Sequence, residues 1–83
     1  MTREDDLVVA VADEVMRYLA QHPEAADSAQ GIQRWWLAPR QLEEPLDRVQ
    51  RALDALVRKG AMVRKALPDG STVFEGESRS RRR

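Results

Sequence analysis

The stretch from Leu42 to Glu75, LEEPLDRVQRALDALVRKG followed by AMVRKALPDGSTVFE, decides the fold. Leu46, Val49, Leu53, Leu56 and Val57 recur at a spacing that gathers apolar side chains on one face of a helix. Lys59 puts a cation near the last turn, and Gly60 can take the left-handed conformation that stops a helix. Beyond it, MVRKAL (62–67) and STVF (71–74) read as two short strands joined through Pro68-Asp69-Gly70, a strong turn signal. A long amphipathic helix is therefore expected to run straight into a β-hairpin.

Toward the N-terminus, Leu7, Val8, Val11, Val15 and Leu19, flanked by Ala12 and Met16, form a second apolar stripe. Thr2 and the acids Glu4, Asp5 and Asp6 fit the start of that first helix, where the dipole favours negative charge. His22-Pro23 ends it, since proline disfavours helical backbone in the residue before it. Pro23 to Ala26 fits a short turn. Asp27-Ser28 is a capping signal for a second helix, Ala29 to Leu37, closed by Pro39, with Ala38 to Leu42 as the turn into the third. In the second helix Ile32 and Trp36, four apart, belong to the core. Trp35 points about 100° away and lies four after Gly31, so either both rings cap the small core from two sides or Trp35 stays more open.

Eighty-three residues make one domain, assigned to 1–76, and residues 77–83 form an arginine-rich tail expected to be disordered. The absence of cysteine excludes disulfides and thiolate sites. No apolar run approaches the ~20 residues of a membrane span. The segment Leu7 to Ala12 lacks the basic start of a signal peptide, so a cytoplasmic protein is expected. Catalysis finds little support: the single histidine, His22, precedes a proline, and Glu43-Glu44 suit a helix N-terminus. There is no Gly-rich phosphate loop and no metal-ligand spacing, so no enzyme activity, cofactor, metal or small-molecule site is expected. Formal net charge is zero but polarised: residues 1–27 hold seven acids and two arginines, a formal −5, and the remainder carries +5.

The order helix, helix, turn, helix, hairpin over residues 5–75 resembles the winged helix-turn-helix superfamily. Its most specific part is Arg58-Lys59-Gly60 leading into a hairpin tipped by Pro68-Asp69-Gly70. The resemblance implies an α+β fold, three helices followed by a C-terminal two-stranded wing, and DNA binding in a small protein regulating or assisting transcription. Helix three and the wing would then offer Arg48, Gln50, Arg51, Arg58, Arg64 and Lys65 to base edges and phosphates. Arg64 and Lys65, being consecutive, would point to opposite faces of their strand.

The same helix supports a second reading. Glu44–Arg48, Asp47–Arg51 and Asp54–Arg58 are i,i+4 acid–base pairs able to neutralise one another. Glu43, Glu44 and Asp47 also gather negative charge where phosphates would lie. The alternative is a protein-interaction module on the same fold, using Trp35 as an anchor in a larger complex and binding no DNA. A continuous basic stripe would mark the first reading; interrupted charge and an exposed Trp35 would mark the second.

Overall fold

Two amphipathic helices bury their stripes together, and a small sheet closes the core beside them. The structure, a computed structural model, describes residues 3–40 and 43–77. The expected Thr2 cap and the tail from Ser78 onward lie outside these residues. Helix α1 (Arg3–Gln21) carries Glu4, Asp5 and Asp6 in its first turn and buries Val11, Val15 and Leu19. No helix among the described residues is long and apolar enough to cross a membrane.

Between α1 and the second helix the chain adds a strand where Ala26 was expected to end a turn and Asp27 to cap a helix. Ala26–Asp27 forms strand β1. Ser28 then caps the helix that follows, its Oγ accepting the Gly31 N–H at 3.1 Å. The Asp27 carboxylate accepts the Ser28 N–H at 2.8 Å. The helix itself departs from a regular α-helix ending at Leu37. Ala29–Gly31 is α-helical, Ile32–Leu37 winds as a π-helix, and Ala38–Arg40 forms a 3-10 turn; together these are α2. In the π segment residues five apart share a face, so Ile32, Trp36 and Leu37 all enter the core. Pro39 sits within the closing 3-10 turn, a common form of helix end, instead of stopping the helix before it.

Helix α3 spans Leu46–Arg58. Pro45 stands at its N-cap in extended conformation, and its carbonyl accepts the Arg48 and Val49 N–H groups, both at 3.1 Å. Glu43 and Glu44 therefore precede the helix instead of filling its first turn. At the other end Ala61 N–H bonds to Leu56 O (2.9 Å) and Gly60 N–H to Val57 O (3.0 Å), with Gly60 at φ 82°. That pair of bonds is the Schellman arrangement, which requires a left-handed residue at Gly60. The chain leaves it directly into strand β2 (Met62–Ala66) and returns as β3 (Thr72–Gly76).

Among the described residues the sheet has three strands, the expected hairpin pair and β1. β3 lies centrally, antiparallel to β2 on one side and to β1 on the other, in the order β1-β3-β2. Ala26 pairs with Glu75 and Asp27 with Phe74. A two-residue strand is too short to show alternation, so only tertiary pairing reveals it. At the hairpin tip Asp69 Oδ1 accepts from Ser71 N (2.9 Å) and Ser71 Oγ (2.6 Å). These bonds hold the Asp69 carboxyl below its ordinary range.

One contiguous core results. Val49, Ala52, Leu53 and Leu56 of α3 pack with the α1 stripe, with Ile32, Trp36 and Leu37, and with Met62 and Phe74 from the sheet. Tyr18 stacks on Trp36 with ring centroids 4.5 Å apart and planes 13° from parallel.

Candidate interaction surface

The face that α3 turns away from this core holds Asp47, Gln50, Arg51 and Arg58 exposed, with Arg48 and Asp54 half-buried. Two of its arginines, Arg48 and Arg51, are held by carboxylates. Arg48 donates from Nε to Glu4 Oε2 (3.1 Å) and from Nη2 to Glu4 Oε1 (3.0 Å), and from Nη1 to Glu44 Oε1 (2.7 Å). Arg51 Nη1 also reaches Glu4 Oε2, at 3.5 Å. The Arg48 hydrogen bonds, with the charges of Arg48 and Arg51, hold the Glu4 carboxyl below the usual carboxylate range. In turn, hydrogen bonds to Glu4 and then Glu44 raise the Arg48 guanidinium further into its charged form.

The hairpin repeats the pattern. Arg64 shares the Phe74 side of the sheet, its Cζ 5.5 Å from the ring centroid, and pairs with Asp54 across from α3. Lys65, the next residue, takes the opposite face, where Nζ lies 2.9 Å from Glu75 Oε2. Of the six cationic and amide groups expected to face DNA, Arg48, Arg51, Arg64 and Lys65 are each held by a carboxylate. Gln50 and Arg58 are exposed.

Only one of the three expected i,i+4 pairs is formed among these contacts, Glu44–Arg48. Arg51 turns to Glu4 in place of Asp47, and Asp54 to Arg64 in place of Arg58. Glu4 is the residue that sequence reasoning missed. It is 44 positions from Arg48, and its place in an acidic first turn explained it locally without any partner. The polarised charge of the chain was the available signal, since it supplies acids at one end for bases at the other.

Between the start of α2, α3 and the hairpin lies a groove of about 490 Å³, walled by Gln30, Gln50, Thr72 and the Asp54–Arg64 pair, with Phe74 at its base. Its formal charges cancel, and it offers amides and hydroxyls instead of a basic channel. Trp35, on the π segment of α2, is 63 % exposed, while its neighbour Trp36 is buried. Gly31 at the start of this helix is packed close to Asp27: a Cβ there would lie 1.9 Å from Asp27 Oδ1, so the Asp27 side chain would have to move. No group of histidine and acidic side chains among the described residues could hold a metal ion.

Comparison with protein-family models, curated proteins and solved structures finds no match to this chain.

Proposed function

We propose that this chain is a winged helix-turn-helix module that serves as a non-enzymatic protein-interaction domain in a cytoplasmic assembly. The winged-helix reading is supported by three helices followed by a hairpin, with α3 passing through Gly60 straight into β2. The observation that carries the function is the neutralised face. To reach phosphates, Arg48, Arg51, Arg64 and Lys65 would each have to leave a carboxylate, and those carboxylates would remain beside the DNA. A protein surface with its own mixed charges meets no such conflict. Trp35 supplies what such an interface needs at its centre, a large rigid ring presented to solvent.

DNA binding through the same fold is the second reading, and Gln50 and Arg58, exposed on α3, are what favour it. One experiment separates the two. Immobilised parent and Trp35→Ala chains are exposed to lysate of the source cells with and without nuclease, and any retained protein is purified and titrated back. The expected result is a nuclease-resistant partner that binds Trp35→Ala roughly 30-fold more weakly, the loss typical of a hot-spot truncation. A complex that vanishes with nuclease, or one indifferent to Trp35→Ala, contradicts the proposal.

A further inference from the structure

Strand β1 stops one hydrogen-bonded pair short of the edge it covers. Leu67 N–H bonds to Ser71 O (2.8 Å) at one end of the hairpin, and Glu77 N–H to Ala61 O (3.1 Å) at the other. In that register the hydrogen-bonded pairs between them are Lys65–Val73 and Val63–Glu75. Thr72 and Phe74 therefore turn their N–H and C=O groups the other way, toward β1. Asp27 lies opposite Phe74, but at Ser28 the chain turns off to cap α2. Neither backbone group of Thr72 meets a hydrogen-bond partner among the described residues. Thr72 lines the groove of about 490 Å³ between α2, α3 and the hairpin. Gln30 and Gln50, both exposed, line it too, and their amides bond to no described residue.

We propose that this groove takes an extended, uncharged segment of the partner protein, added to β3 in line with β1 and bonded to both backbone groups of Thr72. This rests on the protein-interaction reading and gives the form in which the partner is held, a strand addition. The residue opposite Thr72 puts its side chain on the face that Thr72 shares with Phe74, so an apolar side chain there covers the Phe74 ring. The amides of Gln30 and Gln50 supply donors and acceptors for the backbone groups that the segment turns away from β3. A charged side chain in the groove would find Asp54 and Arg64 already paired with each other. No contact within the chain has to be broken for the segment to enter.

The test is an NMR titration of the full chain with a capped Gly-Thr-Val-Thr-Gly peptide and the same peptide N-methylated at valine, which removes the N–H that Thr72 O would accept. The backbone amide of Thr72 and the side-chain amides of Gln30 and Gln50 are followed, with a random-sequence duplex run in parallel. All three signals should shift together with the parent peptide, and the methylated peptide should bind about tenfold more weakly. Gln30→Ala and Gln50→Ala should each weaken the peptide about threefold. Thr72→Pro should abolish the shifts, since it deletes a groove-facing N–H and no bond to β2; if that variant fails to fold, the glutamine variants and the methylated peptide decide. Equal binding of the two peptides, no shift at Thr72 with millimolar peptide, or indifference to both glutamine substitutions overturns the proposal. So does a duplex that shifts Thr72 and Gln50 where the peptide does not. Failure of this groove leaves Trp35-dependent partner binding untouched, whereas failure of the module reading appears as a nuclease-sensitive complex.

Discussion

Leu53 stands at the middle of the α3 stripe with no exposed surface, in one cluster with Val15, Ile32, Val49 and Leu56. Replacing it by alanine removes the branched end of the side chain from a packed site. Substitutions of this kind cost about 2–5 kcal/mol, the transfer term plus that for the cavity left behind. A chain of this length is stable by roughly 4–12 kcal/mol in total, so the variant retains a fraction of its stability or none. With a urea dependence of ~1.5 kcal/mol per molar, the midpoint should fall by about 1–3 M. Trp36 is buried in the same core and reports the transition by fluorescence, with far-ultraviolet circular dichroism as the second probe. Leu67, 39 % exposed near the hairpin tip, is the control; Leu67→Ala should move the midpoint by less than about 0.5 M. A Leu53→Ala midpoint within that same margin would refute the placement of α3 at the centre of the core.

Gly60→Ala should destabilise by about 1–2 kcal/mol, because a side chain at φ 82° is strained even though space around it is open; Gly60→Asn should recover part of the loss in the same thermal melts. Gly31→Ala forces the Asp27 carboxylate off the Ser28 N–H, so a double-mutant cycle with Asp27→Ala should show coupling of about 1 kcal/mol or more in chemical denaturation. The Glu4 carboxyl, lowered by Arg48, contributes stability that is present above the ordinary glutamate value and is lost as pH falls through the folded value. Arg48→Gln should therefore raise the Glu4 titration midpoint toward the ordinary value in carboxyl-detected NMR, and no movement would mean that Arg48 is not the cause.

What could be read from the residues was what they encode locally. The α3 stripe, its stop at Gly60 and the hairpin turn at Pro68-Asp69-Gly70 each depend on neighbours a few positions apart, and each is in place. The burial of Trp36 was legible too, from its spacing of four after Ile32, while the exposure of Trp35 was one of two open readings. The π winding beneath them was not, because it answers the core's demand for Ile32, Trp36 and Leu37 together. Strand β1 is two residues long and exists only by pairing with β3, nearly fifty positions later in register. The surface was the least legible part. Helical spacing gave Glu44–Arg48, but the carboxylates that neutralise Arg51, Arg64 and Lys65 come from α1, α3 and β3, which only the fold brings near.

The central claim is that Arg48, Arg51, Arg64 and Lys65 are held by carboxylates and do not serve as a DNA-reading surface. A salt-dependent anisotropy titration of a random-sequence duplex, parent chain against the combined Arg48→Gln, Arg51→Gln, Arg64→Gln variant, tests it most directly. Any contribution from the arginine tail is common to both chains and cancels. The expected result is weak binding, with affinity and salt slope the same for the two chains within about half a unit. A slope shallower by about two to three units in the variant, one for each phosphate that an arginine had neutralised, together with a large fall in affinity, would contradict it.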